Sequence, residues 1–286
     1  MMTRTTIMKK LATVESVVQL YLKKHIDHTA IDTQRAEIAW KNMSVYLYNT
    51  PISGLNGHII NNYVANRKAS AGTINRELGV LSAAIRWCYT QGYIDKLVLV
   101  PRLPSPPPRQ RWLSKEECDR LLAAARPHPH VWAFIAVALL TGQRKEAILG
   151  LTRDRVFWEE GFIDFNEAGP HCERRKGRAV VPISAEMRDL LILLKSDSVY
   201  IINKNGRRVR DMRKTWGKVT IAAGLEGVTP HTLRHTVATL LVRAGVPLIE
   251  VSKLLGHKDS RITERVYAKF SPDYLKRAIE TLSIAA

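Results

Sequence analysis

The second half of the chain contains cationic, imidazole and phenol side chains whose types suit the chemistry of a phosphate ester. They are Arg144, His231, Arg234, His257 and Tyr267. His231 and Arg234 lie three residues apart, directly after Thr229 and Pro230, which are typical of the N-cap and first turn of a helix. On a helix, this spacing puts both side chains on one face near the positive end of the helix dipole, where anions bind.

Each of these residues also has an ordinary structural interpretation when it is taken alone. Gly256 is typical of a helix C-cap, which would leave His257 to hydrogen-bond the last carbonyl groups. Tyr267 can be a half-buried core aromatic, Arg144 a surface residue that caps a helix, and the pair at 231 and 234 a solvated helix face. The order and context of the residues are therefore stronger evidence than any one of them.

The charge of the chain indicates a polyanionic partner. The 286 residues include 44 Lys and Arg against 26 Asp and Glu, a formal net charge of +18, while 45% of the residues are hydrophobic. Basic charge on a folded protein attracts nucleic acid, because neutralising phosphates releases condensed counterions. A charge that serves only solubility is the alternative interpretation.

The sequence lacks the motifs of several other reactions. It contains no Walker loop, no GxGxxG after a predicted strand, no HExxH and no GxSxG. The three cysteines, Cys88, Cys118 and Cys172, are too few in 286 residues for a disulfide framework, and their spacings match no pair of metal ligands. We therefore expect no cofactor, no metal and a reducing, cytoplasmic setting.

We also expect no membrane association. The longest apolar stretch, residues 131–140, has about half the length of a membrane span, and Glu15 interrupts the apolar residues near the N-terminus.

A stretch with five prolines divides the chain into two predicted domains. Residues 1–98 show only helical patterns, with helices expected over 33–48 and 57–66 and apolar stripes over 14–22 and 78–88. Residues 99–111 are rich in Pro and Arg and form a predicted linker. Residues 112–286 are predicted to be mixed, and the fold as a whole mainly α with a small β-sheet.

The second predicted domain has clear helix starts and some β-formers. Ser114 and Glu117 form a capping box, and the 131–140 run is typical of a buried helix. Residues 156–165 and 178–183 predict a hairpin, and residues 199–202 a further strand. A last helix is expected after Ser271 and Pro272, with an apolar stripe formed by Leu275, Ala278, Ile279 and Leu282.

Taken in order, the five residues resemble the signature of the tyrosine recombinase (phage integrase) family, which is Arg, HxxR, a second His and a nucleophilic Tyr. The surrounding segments are also similar to the family's patterns: TGQRKEAILGL, TPHTLRHTVATLL and LLGHKDSRITERVYAKF. The resemblance covers the whole chain. It implies an all-helical core-binding domain and a mixed α+β catalytic domain that together clamp duplex DNA.

The resemblance also implies a role for each residue. Arg144 and Arg234 would meet the nonbridging phosphate oxygens, His231 would move protons, and His257 would donate a hydrogen bond to the phosphate. Tyr267 would attack and form a 3′-phosphotyrosine without metal or ATP. Relatives place a general-acid Lys on the β-hairpin, which here indicates Lys176, with Arg174 as the alternative position.

The resemblance further implies how the protein assembles. It predicts a monomer or weak oligomer when free and a homotetramer on two DNA sites, linked by the C-terminal helix of each subunit. DNA-bending or directionality factors are possible accessory partners. Five basic residues are candidate DNA contacts: Arg67, Lys68, Arg76, Arg109 and Arg111.

The alternatives differ in the fate of the cleaved DNA. An integrase of a prophage or mobile element is the preferred interpretation, and a recombinase that resolves chromosome dimers is the second. A type IB topoisomerase shares the chemistry but would relax DNA without joining sites. A DNA-binding protein without catalysis is opposed by the complete set of Arg, His and Tyr residues.

Overall fold

Residues 11–26, 33–104, 111–166, 179–257 and 259–270 are described by the computed structural model of this chain. By their contacts, the residues divide into two units, Met1–Pro108 and Arg109–Ala286. None of the helices in these described ranges combines the length and the apolar character needed to cross a membrane.

The described part of the first unit is helical. Its α-helices are α1 (Val14–Tyr21), α2 (Thr33–Leu47), α3 (Gly57–Asn66) and α4 (Ala71–Thr90). A capping box between Thr13 and Ser16 begins α1, and the Asn56 side chain accepts hydrogen bonds from the first backbone N–H groups of α3. The apolar stripes of these helices meet in one core, which includes the fully buried Val17, Leu81 and Ile85.

One buried carboxylate ties three elements of this unit together. Glu77 of α4 is 3% exposed and accepts hydrogen bonds from Asn42 of α2, Tyr63 of α3 and Arg67, with the Arg67 Nη2 at 2.8 Å. The carboxylate oxygens of Glu77 thus have hydrogen-bond donors, and Arg67 balances their charge, as burial of a charge requires.

The start of the Pro-rich stretch packs on the first unit. The Asn75 side-chain amide donates to the Leu103 carbonyl oxygen at 2.9 Å, and its oxygen accepts from the Leu103 N–H at 2.8 Å. Val98, Val100 and Leu103 also contact the core of the first unit. Residues 105–110 lie outside the described ranges.

The second unit adds helices around a separate core. They are α5 (Lys115–Ala125), α6 (Pro129–Thr141), α7 (Lys145–Leu149), α8 (Ala185–Leu193), α9 (Arg213–Ala222), α10 (Pro230–Arg243), α11 (Leu248–Leu255) and α12 (Arg261–Tyr267). The predicted capping box of Ser114 and Glu117 is present at the start of α5. The apolar 131–140 run lies in α6, which packs against α10.

Five short strands accompany these helices. β1 (Val156–Phe157), β2 (Phe162–Asp164) and β3 (Val180–Pro182) form an antiparallel sheet in the order β1-β2-β3. In that sheet, Ile163 of β2 pairs with Val156 on one side and Val181 on the other. β4 (Asn203–Lys204) and β5 (Arg207–Arg208) form a two-stranded ladder.

Two strand predictions need correction. Residues 156–165 form two strands rather than one, because the chain turns at Gly161, whose φ of +73° favours glycine. Residues 199–202 are not a strand: Tyr200 makes only an isolated bridge to Thr152. The apolar character there reflects burial of Ile201 and Ile202 in the core, not a β-ladder.

The prediction of a mainly α fold with small sheets is confirmed. Lys176 and Arg174, which were predicted to lie on a hairpin, and the predicted helix after Ser271 are outside the described residues.

Candidate active site

The N-terminal end of α10 borders an open cavity of about 600 Å³. Its walls come from the α6–α7 junction, from α9 and from the first turns of α10. Arg144, His231 and Arg234 line it, so three of the predicted site residues share one cavity.

Arg234 is the most buried cation of this cavity, with 3% of its surface exposed. Its Nη1 donates a hydrogen bond to the Gly142 carbonyl oxygen at 3.1 Å, whereas its buried Nη2 has no hydrogen-bond partner among the described residues. Burial, together with the positive charge of Arg144, lowers the pKa of Arg234 to about 9. A buried donor without an acceptor is costly, and a bound anion would relieve that cost.

The α6–α7 junction fixes the position of Arg144. α6 ends at Gly142 in the left-handed conformation, with a φ of +64°. The Gln143 side-chain amide then donates to the carbonyl oxygens of Thr141 at 3.1 Å and Leu254 at 2.6 Å, which ties the junction to the end of α11. Arg144 follows at the N-cap of α7, and its Nη1 donates to the Gly256 carbonyl oxygen at 3.5 Å.

His257 follows Gly256, which caps α11 with a φ of +65°. The imidazole Nδ1 lies 2.8 Å from the hydroxyl oxygen of the buried Thr263. Burial, reinforced by the charges of Arg234 and Arg144, lowers the pKa of His257 to about 4. The imidazole is therefore neutral at neutral pH, and the tautomer that accepts the Thr263 hydroxyl keeps Nε2 as a hydrogen-bond donor.

Tyr267 ends α12 and is 3% exposed. Its ring packs in a small apolar cluster with Ala238, Val242 and Leu255. Its hydroxyl oxygen lies 2.5 Å from Nδ1 of His235. Burial raises the pKa of Tyr267 to about 12, against a smaller lowering by Arg234, so the phenol is protonated at neutral pH.

The five residues of the sequence pattern thus lie together. The charges of Arg144, His231 and Arg234 all act on the pKa of His257, and the charge of Arg234 acts on that of Tyr267. Lys176 lies outside the described residues. Within the described ranges, no three His, Cys, Asp or Glu side chains are grouped as metal ligands.

The five candidate DNA contacts have different surroundings. Lys68 and Arg76 are exposed. Arg67 pairs with Glu77, and Arg111 pairs with Glu117 at 2.6 Å, so both guanidinium groups are already bonded within their own unit. Arg109 lies outside the described residues.

Two residues of this region were missed by the sequence analysis. His235 carried a usable signal, because it lies four residues after His231 and therefore on the same face of α10. Gln143 carried none, since its hydrogen bond to the Leu254 carbonyl oxygen depends on the end of α11, more than one hundred residues later in the chain.

Comparison with known proteins identifies the class. The model of the phage integrase family matches residues 111–273, more than half of the chain. The chain therefore belongs to this family, the tyrosine recombinases, which are DNA strand-exchange enzymes.

Individual relatives include proteins named as Xer recombinases and proteins named as phage integrases. The chain is 30% identical over 240 residues to the tyrosine recombinase XerA of Thermococcus kodakarensis, covering 79% of this chain and 82% of that protein. It is 28% identical over 174 residues to the integrase of Escherichia phage 186, covering 59% of this chain and 47% of that protein. A lambda integrase tetramer bound to a Holliday junction has a similar fold, with a TM-score of 0.71 and 19% identity over 88% of this chain and 79% of that one.

Proposed function

We propose that this protein is a site-specific DNA recombinase in which Tyr267 cuts and rejoins DNA for the integration and excision of a prophage or mobile element. The observation that carries the proposal is the buried Arg234 guanidinium, whose Nη2 lacks a partner among the described residues, in a cavity that Arg144 also lines. Two guanidinium groups there match the two nonbridging oxygens of a phosphodiester.

The proposed reaction is a transesterification. The Tyr267 oxygen bonds to phosphorus and gives its proton to a histidine of α10 while the bond from phosphorus to the 5′ oxygen breaks, which leaves a 3′-phosphotyrosine. Arg144 and Arg234 neutralise the charge that develops on the nonbridging oxygens, and Nε2 of His257 donates a further hydrogen bond. Lys176 supplies the proton for the departing 5′ oxygen, with Arg174 as the alternative position on the hairpin. A 5′ hydroxyl from another strand reverses the step, so no ATP is consumed.

The proposed substrate and assembly are based on charge and kinship. A net charge of +18 suits a duplex DNA partner, and a lambda integrase of similar fold assembles as a tetramer on a Holliday junction. We propose that this chain is a monomer or weak oligomer when free in the cytosol and forms a homotetramer on two DNA sites, with DNA-bending or directionality factors as accessory partners.

A chromosome-dimer-resolving recombinase is the second candidate, and the 30% identity with an archaeal XerA favours it. A recombination assay that offers different pairs of DNA sites separates the candidates by the pair that each enzyme joins. Joining a site on the chromosome to a different site on a circular element supports the integrase role. Exchange only between two identical chromosomal sites supports dimer resolution, and relaxation without any joined product would indicate a topoisomerase.

The chemistry is tested by replacing the proposed nucleophile. We expect Tyr267→Phe to bind DNA as the wild type does but to form no covalent adduct on a nicked suicide substrate, because the ring remains and the attacking oxygen is gone. Denaturing gel electrophoresis detects the adduct as a shifted protein band. Tyr89→Phe, at an exposed tyrosine of α4, is the matched control and should form the adduct normally. An adduct formed by Tyr267→Phe would overturn the proposal.

A further inference from the structure

His235 is the side chain whose ring nitrogen meets the Tyr267 hydroxyl. It lies one helical turn after His231 on α10, and its Nδ1 is 2.5 Å from the Tyr267 oxygen. His231, to which the family resemblance gives the acid/base role, meets the His235 ring edge to face, with the ring centroids 4.6 Å apart. The three rings therefore form a row that runs from the cavity to the nucleophile.

The protonation states of the pair suit a proton transfer. The buried phenol is protonated at neutral pH, so it needs a proton acceptor before it can attack. Burial and the nearby charge of Arg234 lower the pKa of His235, which keeps its imidazole neutral. In the tautomer with the ring proton on Nε2, Nδ1 accepts the hydrogen bond of the Tyr267 hydroxyl. At 2.5 Å, the proton has a short path between the two atoms.

Several charged or titratable groups surround His235, and any pH dependence must account for them. His231 and Arg234 face it on its own helix, and the charge of His235 acts on His257, which precedes α12. Arg144, from the α6–α7 junction, acts on the same His257 and Arg234. The two arginines keep their charge over the working pH range, so the acid limb of a pH profile belongs to a histidine.

We propose that His235 accepts the proton of Tyr267 during cleavage and returns it during rejoining. The proposal rests on the function proposed above. As the Tyr267 oxygen bonds to phosphorus, its proton passes to Nδ1 and His235 becomes an imidazolium. When a 5′ hydroxyl later attacks the phosphotyrosine, its own proton passes to the deprotonated general acid of the cleavage step. The imidazolium proton of His235 returns to the phenol oxygen as the bond from phosphorus to Tyr267 breaks.

The first test measures cleavage rates against pH for the wild type, His235→Gln and His231→Gln. In single-turnover reactions on a nicked suicide substrate, we expect the wild-type rate to fall at acid pH as His235 becomes protonated. His235→Gln should be slower by about 10²-fold and lose this acid limb, because an amide cannot take the proton. His231→Gln should keep the limb, whatever its rate. Loss of the limb in His231→Gln but not in His235→Gln would overturn the proposal.

The second test lowers the demand for a base. Difluorotyrosine at position 267 has a lower phenol pKa than tyrosine, so it loses its proton more readily. We expect it to restore most of the rate lost in His235→Gln while changing the wild-type rate far less. Equal effects of the fluorinated residue in both proteins would show that His235 does not take the proton.

The third test does not depend on the folding of a His235 variant or on activity. Nitrogen-15 NMR of labelled histidines reports the pKa and tautomer of each imidazole in the free protein. We expect Tyr267→Phe, which deletes only the hydroxyl, to change the titration of His235 more than that of His231. An unchanged His235 signal would contradict the contact on which the proposal depends.

The outcomes separate this inference from the proposed function. If Tyr267→Phe still forms an adduct, the proposed function fails. If Tyr267→Phe forms none but His235→Gln keeps both the rate and the acid limb, the recombinase function stands and only the role of His235 is wrong.

Discussion

The Arg234 guanidinium illustrates a conflict between stability and chemistry at the scale of one residue. It is buried, its Nη2 has no partner among the described residues, and Arg144 adds a like charge nearby. Burying such a charge without an acceptor costs several kcal/mol, whereas its hydrogen bond to the Gly142 carbonyl returns about 1 kcal/mol.

Arg234→Met should therefore stabilise the protein while it removes activity. We expect the free energy of unfolding to rise by about 1 kcal/mol or more and the cleavage rate to fall by at least about 10²-fold, because the phosphate loses its buried cation. Urea unfolding and the suicide-substrate assay measure the two effects. A variant that is both less stable and inactive would mean that the buried charge is already compensated.

The pKa of His257 makes stability depend on pH in a definite direction. Its folded-state pKa is about 4, below its ordinary value of 6.5, so the unfolded chain binds a proton more readily between these pH values. The stability that the neutral imidazole contributes is complete above pH 6.5 and is lost as the pH falls toward 4. We expect His257→Gln to reduce the acid-induced loss of unfolding free energy between pH 7 and 4.5 by about 1–2 kcal/mol. Urea titrations at both pH values measure this difference, and an equal loss in both proteins would contradict it.

At the scale of elements, the junction between α6 and α7 holds the site together. Gly142 has a φ of +64°, and a Cβ there would lie 3.0 Å from Leu255 Cδ2 and 3.1 Å from Val237 Cγ1. Its carbonyl also accepts the hydrogen bond from Arg234. The junction thus links α6, α10 and α11 at the point where Arg144 begins α7.

Gly142→Ala should damage the site more than the strain of its backbone alone explains. We expect a loss of about 1–3 kcal/mol in unfolding free energy and a marked loss of cleavage, because the new methyl group displaces the junction from α10 and α11. Gly224 is a matched control, since its φ is also +64° but a Cβ there meets no atom within 4 Å. Gly224→Ala should lose stability and keep its cleavage rate. Equal cleavage by both variants would show that the junction does not position the site.

Elements with local signals were predictable from the sequence. The capping box of Ser114 and Glu117 and the Thr229-Pro230 start of α10 depend on neighbouring residues, and both are present in the structure. The strand predicted for residues 199–202 was wrong because the apolar residues of this segment fill the core. A short buried apolar segment has the same sequence pattern whether or not it pairs as a strand.

The sequence predicted some features of the candidate site, whereas others depend on how the helices pack. The order of Arg144, His231, Arg234, His257 and Tyr267 was sufficient to indicate the family, now shown by the family match. The contact between His235 and Tyr267 was not predictable, since it depends on how α12 packs against α10. The burial of Arg234 likewise results from packing and not from the spacing of the motif.

At the scale of the whole molecule, the predicted C-terminal helix concerns assembly. Its predicted apolar stripe can pack against its own subunit or against a neighbouring subunit. The stripe consists of Leu275, Ala278, Ile279 and Leu282. The resemblance to the tyrosine recombinase family implies the neighbour, and this remains a prediction.

Truncation after Phe270 tests this assignment. We expect the shortened protein to bind a single half-site with unchanged affinity but to lose cooperative binding to paired sites and strand exchange, because burying large apolar side chains supplies several kcal/mol per subunit contact. Gel-shift titrations on single and paired sites measure the two affinities. Full recombination by the truncated protein would exclude an intersubunit role, and a lower melting temperature would assign the stripe to its own subunit.

The burial of Tyr267 affects whether the protein cleaves a DNA sequence that matches its target poorly. Only 3% of this residue is exposed, so under the proposed function the groups packed on it must move before a phosphate can reach the hydroxyl. The free energy of DNA binding must drive this opening. Only a DNA sequence that binds the open state of the active site more tightly than the closed state can do so. A poorly matched site can therefore hold the protein on electrostatic attraction alone and still be released uncut. Under the proposed function, this places the choice between right and wrong DNA in the opening step. Surveys of occupied sites should then find many more locations than surveys of cut ones.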